Sequence, residues 1–238
     1  MSFVSFFTNG IFFMECLYFP DLTEETKEVV LSGEEYKHAK ALRLKISDQV
    51  LITNGKGLTA VCLFTDFDKS GSKFTTISFL HNSSEPEKKV IAAVGITDNK
   101  DRFEFALEKS VELGVSAFIP LITEYSAQKN YNNERLKAKA IAAMKQCKRS
   151  ILPDIFEPIM LSDLLSAYYF DQIIIADPDG KSEIEYTDNI LVAVGPEGGF
   201  SDTELAIFKT NEAELLKLGN RRLRTETALL ATLTKILL

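Results

Sequence analysis

The stretch ILVAVGPEGGFSDTEL, residues 190–205, admits few structures. Its continuous apolar run reads as a strand buried on both faces, which needs helices on either side of a parallel sheet. The run enters Gly195-Pro196-Glu197-Gly198-Gly199, where three glycines let backbone approach a ligand without Cβ obstruction. Ser201 and Glu204 then make the S-x-x-E pattern of a capping box, so a helix starts at Ser201. Ligands of open α/β sheets sit at this carboxyl end of the strands. The same residues also suit a plain strand-to-helix turn. Neither G-x-G-x-x-G nor G-x-x-x-x-G-K-[ST] is present, so a dinucleotide fold and a P-loop both fit poorly.

Around this unit the chain divides in two. Residues 14–82 read as a small β-rich domain. QVLITNGKGLTAVCLF carries alternating β-branched runs on either side of Asn54-Gly55-Lys56-Gly57, a hairpin signal, and FTTISFL supplies a further strand. The polar segment HNSSEPEKK, broken by Pro86, continues neither period and is the expected linker. Residues 88–238 alternate instead. VIAAVGI, AFIPL, QIIIA, ILVAVG and AELLKL are strand candidates separated by helical stretches such as DRFEFALEKSVELG, which closes on Gly114.

Composition narrows the function classes. With 238 residues the chain can bury a real core, and its net charge of -7 advertises no polyanionic partner, so any basic surface must be local. Cys16, Cys62 and Cys147 have no metal-ligand spacing and are expected as free thiols in the cytoplasm. No metal site is expected. The apolar start, interrupted by Thr8-Asn9-Gly10, has no Lys or Arg before Lys27, so neither a secretory signal nor a membrane span is expected. Met14 is a candidate start.

Three basic features could carry chemistry. In LGNRRLRTETALLATL, residues 218–233, Arg221, Arg222 and Arg224 precede a helical run whose start already carries partial positive charge. An extended segment would point Arg222 and Arg224 to one side and Leu223 to the other. Arginine's donor fork suits phosphate, carboxylate or a base edge, although pairing with Glu197 or Glu226 would equally hold the turn. Residues 129–150 hold seven basic residues against Glu134 alone. At helical spacing Leu136, Ala140, Ala143, Met144, Cys147 and Ile151 share one face, and Lys145, Lys148 and Arg149 belong to a basic side suited to RNA or simply to solvent. His38, Arg43 and Lys45 gather before the hairpin, Arg43 and Lys45 as candidate RNA contacts. No G-x-S-x-G, Cys-His signature or zinc spacing supports nucleophilic or metal chemistry.

With GPEGGFSDTEL and LGNRRLRTETALL side by side, the chain resembles the RsmE family of 16S ribosomal RNA uridine N3-methyltransferases, of the SPOUT superfamily. CLYFPDL, HAKALRLKISD, KSVELGV and QCKRSILPDI match further family segments, and the match runs from Met14 to Leu238. Lys148 departs from the family, which often has glycine there, and Ala41-Leu42 stands where Val-Leu is common. The resemblance implies an α/β fold with a C-terminal trefoil-knot methyltransferase domain and a parallel sheet, preceded by a small PUA-like β-barrel that binds RNA.

It further implies S-adenosylmethionine as cofactor, a homodimer, and a uridine of the small ribosomal subunit as substrate. The cofactor would lie against Gly195, Pro196, Glu197, Gly198, Gly199, Leu218, Gly219, Leu223, Arg224, Thr225 and Thr227. Arg224 or Arg222 would stabilise the anion that develops on the base, with Glu226 as positioner or proton acceptor. His38 would join Arg43, Lys45, Lys145, Lys148 and Arg149 toward the RNA. Rival readings are a relative that methylates a ribose 2'-hydroxyl or another base of ribosomal or transfer RNA, a non-catalytic RNA-binding module, and an unrelated nucleotide-binding enzyme.

Overall fold

The structure is a computed structural model that describes residues 14–69, 71–126 and 132–238. The first thirteen residues, Lys129 and the expectations attached to them lie outside the described residues. Two compact units divide between Glu85 and Pro86, within the expected linker, and the first also takes in Ile141–Leu152.

In the first unit, β1 (Glu15–Tyr18), β2 (Glu28–Leu31), β3 (Gln49–Thr53), β4 (Leu58–Phe67) and β5 (Ser72–His81) form one sheet in the order β1-β3-β4-β5-β2. Strands β1 and β3 run parallel and the other pairs antiparallel. Helix α1 (Gly33–Ala41) follows β2. The β3–β4 hairpin forms where the sequence calls for it. Asn54 Oδ1 accepts the Lys56 and Leu58 N–H groups at 2.7 and 3.2 Å, and Gly55 and Gly57 take positive φ. Leu17, Val29, Leu31, Ile52, Phe64 and Phe74 fill the core.

Residues 141–152, expected within the second domain, make their contacts with the first unit. Thr53 Oγ1 donates to the Ser150 carbonyl at 3.3 Å, Gly57 N–H to the same carbonyl at 2.9 Å, and Leu152 N–H to the Gly55 carbonyl at 2.9 Å. Glu85 accepts from Arg149 and from the N–H groups of Ser150 and Ile151. These bonds, made far along the chain, draw the segment into the first unit.

The second unit holds β6 (Lys89–Gly95), α2 (Lys100–Leu113), β7 (Ala117–Ile122), β8 (Asp154–Ile155), β9 (Ile159–Met160), α4 (Leu161–Ala167), β10 (Gln172–Lys181), β11 (Asn189–Val194), α5 (Asp202–Thr210), β12 (Glu214–Leu216) and α6 (Thr225–Leu237). Helix α3 (Asn133–Cys147) begins in this unit and ends in the first. The sheet runs β12-β10-β11-β6-β7-β8, with β9 beside β7, and every pair is parallel. Strands β6 and β11 sit at its centre and are buried along nearly their whole length, as continuous apolar runs require. Ile91, Ala93, Ile119, Leu121, Ile175 and Leu191 pack on Leu161, Leu164 and Phe208 of α4 and α5, while α6 packs against β6, β10, β11 and α2.

Local signals set the helix ends. Asn99 caps α2 through Arg102 N–H at 3.1 Å, and Gly114 ends it at φ 107°. Ser201 and Glu204 form the full capping box of α5.

Candidate active site

Three loops converge at the carboxyl edge of the parallel sheet. The first is Gly195–Phe200 after β11. The second is Ala176-Asp177-Pro178, inside the irregular end of β10. The third is the turn from Leu218 into α6. Together they line a cleft of about 320 Å³, which takes Arg222, Leu223 and Thr225 from the third loop. A recess of about 150 Å³ shares Asp177, Pro178, Arg222 and Leu223 and adds Leu218, Gly219 and Arg221.

The two glycine-edged bends are tied directly. Thr225 Oγ1 donates to the Gly195 carbonyl at 3.0 Å, and Arg222 Nη2 to the Glu197 carbonyl at 3.1 Å. Gly199 N–H closes the first bend on the Pro196 carbonyl at 2.9 Å. Glycine is required at Gly195, because a Cβ there would lie 2.7 Å from the Gly199 carbonyl carbon. Gly199 and Gly219 take φ of 76° and 137°, and nothing stands within 4 Å of where a Cβ would sit, so their backbones are open to an incoming molecule. Glu204 adds a tie that the capping pattern alone does not reveal. Its Oε2 accepts Ser201 N–H at 2.9 Å, and its Oε1 accepts Glu124 N–H, from the loop after β7, at 2.9 Å.

Gly195, Pro196, Glu197, Gly198, Gly199, Leu218, Gly219, Leu223 and Thr225 therefore line the cleft or the recess that shares its lining. Arg224 and Thr227 do not. Arg224 caps α6 from extended backbone with no side-chain cap bond, and Thr227 is exposed on the helix. Arg222 and Arg224 do not share a side opposite Leu223 as expected. The segment is an irregular turn rather than a strand, so alternation fails, and Arg222 and Leu223 line the cleft together. Glu226 is half-buried, 4.0 Å from Arg102 Nε, and outside the cleft lining. Asp177, Pro178 and Phe200 line the cleft unforeseen. The signal for Asp177 was its position directly after the apolar run QIIIA, at the same sheet edge.

The basic side of residues 129–150 is corrected by its partners. Arg135 pairs with Glu104, whose carboxyl is held below its ordinary value by that hydrogen bond, and Lys139 pairs with Glu108 at 2.6 Å. Lys145 is largely buried on Glu35, and Arg149 is 4% exposed, its Nε and Nη2 both donating to Glu85 Oε2. Neither offers a free cation to RNA. Lys148 sits in left-handed backbone at φ 62°, which accounts for the glycine common at that position in the resembled family. His38 Nδ1 lies 3.3 Å from Lys145 Nζ, facing inward to that cluster, whereas Arg43 and Lys45 are exposed. Among the described residues no group of three His, Cys, Asp or Glu is placed to hold a metal, and no helix is long and apolar enough to cross a membrane.

The RNA methyltransferase domain family matches residues 84–237, and the RNA methyltransferase PUA domain family matches residues 31–75. Ribosomal RNA small subunit methyltransferase E of Mesomycoplasma hyopneumoniae is 29% identical over 87% of this chain and 92% of its own length. The protein of that name from Bacillus subtilis is 28% identical over 92% of this chain and 94% of its own. Among solved structures, ribosomal RNA small subunit methyltransferase E from Neisseria gonorrhoeae, bound to S-adenosyl methionine, superposes with a TM-score of 0.85 at 26% identity, covering 93% of this chain and 96% of that one. A putative methyltransferase from Legionella pneumophila, also holding S-adenosyl methionine, gives 0.82 at 27% identity with the same coverage. The parallel sheet, the glycine-edged cleft at its carboxyl edge and these matches together establish that the chain belongs to the RsmE family of RNA methyltransferases.

Proposed function

We propose that this protein transfers a methyl group from S-adenosylmethionine to N3 of a uridine in 16S ribosomal RNA, in the small ribosomal subunit. The observation that carries the reading is the joining of the two bends by Thr225 on Gly195 and Arg222 on Glu197, around a hollow of the size small-molecule sites occupy. The cofactor fits the donor set. Backbone left bare at Gly199 and Gly219 can clasp a folded adenosyl group, and Asp177, in the same lining, offers an acceptor. When bound, S-adenosylmethionine supplies an electrophilic methyl on a sulfonium.

The chain's own residues do the remaining work. Gly195, Pro196, Glu197, Gly198, Gly199, Leu218, Gly219, Leu223 and Thr225 hold the cofactor. Uridine N3 gives its proton to solvent water before it takes the methyl, and a guanidinium beside the base stabilises the resulting anion. Arg222 is favoured for that role because it lines the cleft and is anchored on the Glu197 carbonyl. Arg224, two residues further on and outside the cleft lining, is assigned to the RNA just outside, together with the exposed Arg43 and Lys45. Glu226, facing Arg102, is assigned a positioning role at the helix start. The first domain binds RNA, and the protein works as a cytoplasmic homodimer, as the family resemblance implies.

Two measurements test this. Calorimetry should find S-adenosylmethionine binding that Arg222→Ala leaves measurable, while methyl transfer by that variant drops at least tenfold. Nucleoside analysis of ribosomal RNA from a deletion strain should lose N3-methyluridine. An unchanged profile refutes the assignment, and loss of a ribose methyl instead redirects it to the 2'-hydroxyl.

A further inference from the structure

Tyr125 belongs to none of the motifs and lines neither hollow, yet its environment is built. It stands in the loop after β7, at the same sheet edge as the glycine bend, and is 52% exposed despite its size. Its ring base lies against the glycine bend: a Cβ on Gly198 would come within 2.8 Å of Tyr125 Cβ and 3.0 Å of Cγ. Only a glycine there allows the ring so close.

The loop that carries it is held at several points. Ser126 N–H donates to the Thr123 carbonyl at 3.0 Å, Thr123 N–H to Ser126 Oγ at 3.0 Å, and Ser126 Oγ to the Leu121 carbonyl at 3.1 Å. Glu204, buried, binds Glu124 N–H with one oxygen and Ser201 N–H with the other. One carboxylate thus sets the spacing between the Tyr125 loop and the bend that ends in Ser201.

We infer that Tyr125 is the stacking platform for the base to be methylated. A flat ring, half open to solvent and locked beside the loop that borders the cleft, offers a nucleobase a π-face one residue's thickness from the hollow. Stacking suits a pyrimidine drawn out of its strand, because it uses the base's face and leaves its edge free to react. A neutral ring also complements Arg222, which serves charge rather than shape. This assignment rests on the proposed methyl transfer to RNA.

The test compares Tyr125→Phe, Tyr125→Leu and Tyr125→Ala. Each is assayed for S-adenosylmethionine binding by calorimetry and for kcat/KM of methyl transfer to small subunits from a deletion strain. Stacking predicts wild-type cofactor affinity in all three, near-normal kcat/KM for Phe, and a loss of about ten- to hundredfold for both Leu and Ala. Leucine can still pack on Gly198 but has no π-face. Full transfer by Leu or Ala overturns the inference while leaving the methyltransferase reading intact. Parallel loss of cofactor affinity overturns it too, because the ring would then be a strut for the glycine bend. A wild-type protein that binds cofactor but methylates no RNA defeats both.

Discussion

Substituting Gly195 by alanine tests the cleft at its tightest point. The added Cβ would lie 2.7 Å from the Gly199 carbonyl carbon, 2.9 Å from its Cα and 3.0 Å from its oxygen. Ordinary carbon contact begins near 3.5 Å, so the shortfall is about 0.8 Å. All three atoms are backbone, so no side chain can swing away, and the bend closed by Gly199 N–H on Pro196 must open by a comparable amount. Overpacking of this kind costs about 1–3 kcal/mol. A displacement near 1 Å at a reacting site costs on the order of 100-fold in rate. Gly195→Ala should therefore fold with a lowered Tm, bind S-adenosylmethionine at least about tenfold more weakly, and lose about two orders of magnitude in methyl transfer.

Gly33→Ala is the control. Gly33 belongs to the first unit, has φ 61° and has nothing within 4 Å of a notional Cβ. It should lose about 1–2 kcal/mol of stability to backbone strain, with cofactor affinity untouched. Calorimetry, thermal melts and single-turnover transfer read all three quantities. A folded Gly195→Ala protein with wild-type affinity and rate would refute the claim that this bend's closure shapes the site.

Other perturbations probe the first unit. Lys148→Gly removes a side chain from left-handed backbone and should raise stability by about 1 kcal/mol in urea titration; a loss would mean the lysine's contacts outweigh its strain. Glu85→Ala leaves the Arg149 guanidinium buried without its carboxylate and should cost about 3–5 kcal/mol, whereas a near-neutral effect would show that the segment 149–151 is held by other contacts. Burial pushes the Cys16 thiol up to about 12 and the Cys62 thiol up to about 11, so neither forms thiolate near neutral pH. An alkylating reagent at pH 8 should mark the partly exposed Cys147 first and reach the other two only on unfolding or as pH climbs toward those values; mass spectrometry of the labelled peptides decides.

What could be read from sequence was whatever short segments enforce by themselves. The apolar runs at 90–96 and 190–195 had to be central strands of a covered sheet, and they are β6 and β11. The Ser201–Glu204 box and Gly114 marked helix ends because both act within one turn. The Asn54–Gly57 hairpin follows from side-chain-to-backbone bonds spanning four residues. The two glycine bends were legible as bends, and family motifs tied them to one site.

Their union was not legible from spacing, because it depends on β12 and β11 lying on either side of β10, and on a turn at 218–224 that follows neither the 2.0 nor the 3.6 period. Arg222 and Arg224 part company there for that reason. The same holds for charge. A count along residues 129–150 saw cations, but Glu35, Glu85, Glu104 and Glu108 arrive from distant stretches and neutralise Lys145, Arg149, Arg135 and Lys139. Asp177 and Tyr125 reach the sheet's carboxyl edge by strand order alone. The sequence determined which segments become strand, helix and turn, since those choices are settled by hydrogen bonds and burial within a few residues. Which cations stay free and which loops meet was decided only by the fold, because both depend on energies between groups that the chain brings together from far apart.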